Sequence, residues 1–536
     1  MGTIFEPPSN EKAIHPTSAT LSREGSSGRW VLAATIIGSS MAFIDGTAVT
    51  VVLPVLQTEL NATVAGLQWV VEAYTLFLAA LILVGGALGD RFGRRRVFGI
   101  GVALFAAASV WCGLAPGVGQ LILARAVQGV GGALLVPGSL AIISASFSEE
   151  QRGRAFGTWS AFTAITAALG PILGGWLAEN ISWRWIFFIN APLAIVVIAI
   201  LFWCVPESRD EQASRLKLDW WGALLATIGL GTIVYGLIES ANLGLGHPTV
   251  LVALAVGVVG LIAFVLVEAG SQRAMMPLAL FRSRTFSGAN LLTFLLYAGL
   301  GVAMFFLPFN LIQVQGYSPT AAGAAFLPLI LIIFLLSRWA GGLVNRLGAR
   351  LPLMVGPFVA AIGYILLALP GIGGGYWTTF FPGMVILGLG MAICIAPLTT
   401  TVMSAVESRQ AGLASGINNA VTRTAWLLSI AIVGILVLHT FGSGLDSRLA
   451  TLDIPLEVRQ LLEGERIKLA GAEIPAGLSG DIRAAVKRAI SESFVAGFRW
   501  VMVISAGLAL ASALIAVLTI EDKKSESQVG PAALTR

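Results

Sequence analysis

Charge is what this sequence has least of. Asp, Glu, Lys and Arg together make up 11% of its 536 residues, against about 25% in soluble domains. Apolar residues make up 56%. A chain this poor in charge cannot cover itself with polar surface, so the lipid bilayer must serve as its solvent. Histidine is nearly missing as well. His15, His247 and His439 are scattered, and neither an HExxH pair nor a Walker-type phosphate loop occurs. That argues against metalloprotease chemistry and ATP-driven transport, and no metal or other cofactor is expected. No nucleophile–base pair is visible, so the chain does not read as an enzyme. Cys112, Cys204 and Cys394 all lie inside apolar runs, which leaves no disulfide framework. The small basic excess, 33 Lys and Arg against 28 Asp and Glu, is carried by loops and argues against a nucleic-acid partner.

What is present is apolar length. Runs of about 20 apolar residues suffice to cross the hydrocarbon core. They recur near 30–56, 67–89, 97–116, 119–147, 153–178, 185–206, 219–241, 248–268, 286–314, 320–344, 351–370, 376–405, 410–441 and 494–520. Residues 1–29 form a polar tail and no signal peptide, because the first run is too long for one and carries Asp45. Arg91, Arg94, Arg95, Arg96, Arg152, Arg154, Arg209, Arg215, Lys217, Arg273, Arg282, Arg284, Arg346, Arg350 and Arg409 fall in alternate loops, and the opposite short loops hold only Arg184. The positive-inside rule then places the basic loops and both termini in the cytoplasm. The expectation is a multi-pass plasma (inner) membrane protein, all-α, with fourteen spans.

Residues 86–96 are the organising stretch: Gly86, Leu88, Asp90, Arg91, Gly93, Arg94, Arg95 and Arg96 lie between two apolar runs. Glycine permits a tight turn there, and the arginines hold it in the cytoplasm. Asp90 sits at a helix C-terminus, where the macrodipole disfavours an anion, so it needs a partner; a loop that only set topology would need neither it nor the glycine spacing. The stretch returns 255 residues later as Gly341 to Arg350, with Asn345 for Asp90 and Ala349 for Arg94. The turn is kept and the charge pair is lost. This repeat divides the chain into a tail (1–29), a six-helix bundle (30–206), two inserted helices with their loops (207–284), a second six-helix bundle (285–520) with an external loop (442–493), and a second tail (521–536).

Ionisable groups inside a membrane are expensive and mark functional pathways. Asp45 and Glu72 sit at similar depths above the basic face, roughly 22 and 27 Å by helical rise, and Arg125 enters the same outer half. The three are expected to share one cavity, where a proton and a cation compete. Arg125, Gln128, Gly129 and Gly132 lie on one helix face. Gly170, Pro171, Gly174 and Gly175, with Gly157, Ala161, Ala164 and Ala168 upstream, let another helix approach along all of the fifth span. That stripe serves equally as static packing or as a hinge. Phe43, Trp69 and Tyr74 are candidate cavity walls, with Asn418 and Arg423 from the thirteenth span, because no acid lies deep in the second half.

Residues 86–95 resemble the loop between helices 2 and 3 of the major facilitator superfamily. The Arg125 to Gly129 stretch is similar to that family's span-4 motif, and Gly170 to Gly175 to the antiporter motif of its exporters. Ile44 to Pro54 and Trp183 to Asn190 extend the likeness to the fourteen-helix drug:proton antiporter group, over nearly the whole chain. The resemblance implies a major facilitator fold, proton transfer at Arg125, a contact of Asp90 with the start of span 13 near Gln410 to Gly412, and outward transport. The function expected is proton-driven export of amphipathic or hydrophobic small molecules by alternating access. The alternatives are a dedicated exporter of one metabolite or lipid, and a non-transporting receptor or scaffold. Partners expected are the substrate, protons and the bilayer. Two amphipathic pieces, 455–471 and 479–493, form either a small external cap or a contact surface for a periplasmic adaptor.

Overall fold

The computed structural model describes residues 24–209, 219–271, 274–407, 410–452, 454–475 and 478–521. Arg215, Lys217, Arg273, Arg409 and most of both tails lie outside the described residues. In the described chain the regular structure is helical. In lipid every backbone N–H and C=O must be paired within the segment, and apolar runs of this length meet that requirement as helices. Fourteen helices are long and apolar enough to cross a membrane. They are α1 (Gly28–Glu59), α2 (Val64–Phe92), α3 (Arg94–Leu114), α4 (Val118–Ser146), α5 (Gln151–Asn180), α6 (Trp185–Cys204) and α7 (Trp220–Leu243). The rest are α8 (Pro248–Gly270), α9 (Arg284–Val314), α10 (Pro319–Val344), α11 (Arg350–Ala368), α12 (Tyr376–Ser404), α13 (Ala411–Leu449) and α14 (Gly480–Thr519). Side-chain caps fix several starts: Thr63 accepts from Gly66 N at 3.0 Å and Asp219 from Gly222 N at 2.8 Å.

Helices α1–α6 pack on one another, as do α9–α14. The two bundles meet chiefly where α2 packs against α13 and α5 against α10, and α1 also touches α9 and α10. The inserted pair is asymmetric. Helix α7 lies against both α2 and α13, whereas α8 packs on α7 and turns Leu251, Val252, Val259, Ile262 and Leu266 outward, as a lipid-facing helix does. The repeated turn is visible in the backbone. Gly93 (φ +111°) and Gly348 (φ +78°) occupy equivalent C-cap positions, each donating back to the residue four earlier.

The external segment differs from the expected pair of separate pieces. Residues 479–493 are the outer end of α14, which runs unbroken over 40 residues, and α13 is extended likewise to 39. Only Leu456–Glu465 stands alone as a helix, followed by a 3₁₀ turn, Arg466–Gly471. Leu462 and Leu469 are buried under this cap. Apolar periodicity continues from the apolar part of α14 into residues 479–493, so no break marks the boundary between them.

Candidate functional site

Asp45 of α1 and Arg125 of α4 form a buried ion pair; neither is more than 1% exposed. The pair sits in a hydrogen-bond network in which only the Asn190 Oδ1 atom is left without a partner among the described residues. Arg125 donates Nε to the Val70 carbonyl at 3.1 Å and Nη1 to Gln128 Oε1 at 2.7 Å. Gln128 donates Nε2 to Asp45 Oδ1 at 2.9 Å and to Ser109 Oγ at 2.7 Å, and Asn190 also donates to Ser109, at 3.2 Å. The guanidinium carbon lies 4.3 Å from the Tyr74 ring centroid, a cation–π contact. Tyr74 is therefore part of the arginine's cage and does not line the open cavity. Gln128 lies one helical turn from Arg125, so a single face of α4 supplies both. The next residue, Gly46, is half-buried, and a Cβ there would meet nothing within 4 Å.

Glu72 is as deeply buried but faces elsewhere. Its helix neighbours Gln68 and Leu76 share its face. Gln68 donates to Ile430 O of α13 at 3.1 Å, and Leu76 packs with Leu230 and Val234 of α7 and Leu427 of α13. Trp69 meets Tyr235 of α7 at 6.3 Å, also away from the cavity. The opposite face of α2, with Tyr74 and the Val70 carbonyl, serves Arg125. The expectation of one shared cavity thus does not hold in this conformation; equal depth along two helices says nothing about azimuth. Both Glu72 carboxyl oxygens lack a hydrogen-bond partner.

A cavity of about 280 Å³ opens between the bundles toward the basic face. Phe43, Tyr297, Asn418, Arg423 and Trp426 line it. Asn418 is oriented by Thr293 Oγ1 at 2.8 Å and Asn290 Oδ1 at 3.2 Å. Arg423 is the one charged residue of the lining and has no ion pair among the described residues. Thr399 and Ser415 carry no sequence signal because single polar residues in apolar helices have no period, and Met403 is one apolar residue among many.

On the opposite face the bundles are closed. A Cβ on Gly175 would come 2.2 Å from Pro319 O, and one on Gly323 would come 2.2 Å from Pro171 O. Glu179 spans the same seam, accepting from Thr320 N at 3.0 Å. Gly170 and Gly174 instead face Thr47 and Ala48 of α1. Gly157 is exposed with open space around it, so the close approach expected along all of α5 is absent there, although Trp159 still donates to Ser39 of α1 at 3.1 Å. Toward the basic face the cavity lies between α1, α9, α12 and α13, while α2 and α13 stay in contact at Leu83 and Gly416. The cap adds to the closure: Gln57 donates to Lys468 O at 2.9 Å and accepts from Gln313 at 2.8 Å.

At the basic face Asp90 pairs with Arg94 at 2.8 Å. Arg91 lies against the Phe92 ring at 5.1 Å, and Gly86 packs beside Pro137. Arg95 donates Nη1 to Val205 O at 2.9 Å and its backbone N–H to Glu207 at 3.0 Å. Glu207 also lies 3.7 Å from Arg96, and an added Cβ on Gly93 would strike it at 2.7 Å. Sequence reasoning missed this acid because it lies 112 residues from Arg95. Among the described residues Asp90 makes no hydrogen bond or ion pair with Gln410 to Gly412.

The sequence profile of the Major Facilitator Superfamily matches residues 35–430. The multidrug resistance protein Stp of Mycobacterium tuberculosis is 35% identical over 420 residues, 78% of this chain and 77% of that protein. The tetracenomycin C resistance and export protein of Streptomyces glaucescens is 30% identical over 497 residues, 92% of each chain. Among solved structures, a bacterial homologue of the human lysosomal transporter Spinster, inward-facing and unoccupied, superposes with a TM-score of 0.62 at 19% identity, covering 93% of this chain and all of that one.

Proposed function

The chain belongs to the major facilitator superfamily, and from that premise we propose that it exports amphipathic small molecules in exchange for protons. It is a membrane transporter and not an enzyme. The observation that carries the proton reading is the buried Asp45–Arg125 pair with its hydrogen-bond network. An acid in this position can exchange a proton only when the cavity reaches it, and in this conformation Asp45 is fully buried. Protonation of Asp45 removes one partner of Arg125, which keeps Val70 O, Gln128 and the Tyr74 ring. The arginine can therefore survive both states. Glu72, in its separate seam, is a candidate second proton carrier.

The basic loops face the cytoplasm in this reading, with both termini on that side, so the conformation described is inward-open. Substrate enters between residues 30–206 and 285–520, and Gly175 and Gly323 part as the outer seam opens. The antiporter-like motif and the resistance and export functions named for the relatives support outward transport. The lining supports a substrate class. Its only charge is Arg423, so a neutral or anionic amphipath fits it better than a cation. The test is proton-gradient-driven uptake into everted vesicles from an efflux-deficient host, using a panel of neutral, anionic and cationic amphipathic dyes. The reading expects uptake of neutral or anionic dyes that collapses with the pH gradient. Uptake of none, or uptake indifferent to the gradient, would overturn it.

A further inference from the structure

On the face opposite the loop arginines lies a groove that the transport reading does not use. The outer ends of α9, α13 and α14 and the loop joining α11 to α12 enclose about 720 Å³. Gln315 pins that loop, donating to Gly371 O at 2.8 Å and accepting from Gly373 N at 2.8 Å. Arg448, Lys487, Arg488 and Arg499 line the groove, with Glu492 as its one acid. Glu492 is shared by Arg448 at 3.3 Å and Arg488 at 2.9 Å. Lys487 and Arg499 have no ion pair among the described residues. The groove therefore carries a net positive charge with two cations left over.

Its level identifies the ligand. Trp500, next to Arg499, is 53% exposed, and Trp377 at the start of α12 is 71% exposed. Exposed tryptophans of this kind mark the membrane–water interface. Lys487 stands about 18 Å farther out along α14, so the groove runs from water down to headgroup depth. Val314, Ile372 and Val495 give its lower part an apolar wall. An acidic peptide would match the charge but leave that wall unused. We propose that the groove binds the headgroup of an anionic phospholipid, with its phosphodiester at Arg499 at headgroup depth, Lys487 adding to the positive field from the water side, and the acyl chains leaving past Ile372 and Val495 into the bilayer. The proposal does not depend on the direction of transport.

The experiment uses the full chain in nanodiscs of mixed phosphatidylglycerol and phosphatidylcholine, with a photoreactive benzoylphenylalanine at Ile372 as a local reporter. Captured lipid is identified by mass spectrometry. Phosphatidylglycerol should be captured in several-fold excess over its share of the bilayer. Lys487→Gln with Arg499→Gln, both exposed surface changes, should return capture to that share. Equal enrichment in parent and double variant would overturn the proposal. Loss of capture on adding inorganic phosphate would assign the groove to the free anion instead, and loss on adding a polyglutamate peptide would assign it to an acidic protein.

Discussion

At the residue scale, the Asp45 network depends on Gln128 as much as on the ion pair, because Gln128 links Asp45, Arg125 and Ser109. Gln128→Leu leaves buried polar atoms unpaired, each worth about 1–3 kcal/mol. It should lower thermal stability measurably while Asp45 and Arg125 remain paired, and an unchanged melting temperature would contradict this role. Glu72 has a different test, since it is out of that network. Glu72→Gln should lower by one the number of protons exchanged per substrate, read from proton and substrate fluxes in liposomes. An unchanged ratio would return Glu72 to a structural place at the seam. The presence of Asp45, Glu72 and Arg125 inside apolar runs was legible from the sequence, because a charge among apolar residues is conspicuous there. Their partners were not: Ser109 is an ordinary polar residue, the Val70 partner is a backbone carbonyl, and which side of α2 Glu72 faces depends on packing.

At the scale of elements, α5 shows how one motif serves two neighbours. Gly170 and Gly174 admit α1, whereas Gly175 admits α10 across the seam. Only the second contact breaks when the bundles part. Gly175→Ala overpacks the closed seam, which typically costs about 1–3 kcal/mol and moves a conformational equilibrium about 5- to 150-fold. Ile172→Cys, at that seam, should then react faster with a membrane-impermeant maleimide added from the outer side; equal rates with and without Gly175→Ala would refute the gate. At the basic face Asp90 shows one partner, Arg94. Asp90→Asn should shift the conformational equilibrium by about 1–2 kcal/mol, the upper range for a charge at a helix end. The direction expected is away from the outward-open state, read by cross-linking across the basic face. The turn itself was legible in both copies, since only glycine adopts the positive φ of Gly93 and Gly348 at no steric expense.

At the scale of the whole molecule, the fourteen helices and the place of the inserted pair follow from apolar length and from one internal repeat. What the inserted pair does was not legible. Its two helices are apolar but for Glu239, Glu268 and a few neutral polar residues, and only packing shows that α7 lies over the α2–α13 seam while α8 faces lipid. The conformation was equally hidden, because one sequence must serve both open states. The central claim, that export is coupled to protons through Asp45, is tested most directly by substrate-driven proton release. Purified protein in weakly buffered detergent solution is mixed with a transported dye while a pH indicator is followed. The account predicts release from the parent protein, reduced release from Asp45→Glu, and none from Asp45→Asn, with all three eluting as folded monodisperse protein. Normal proton release from a folded Asp45→Asn protein would contradict it.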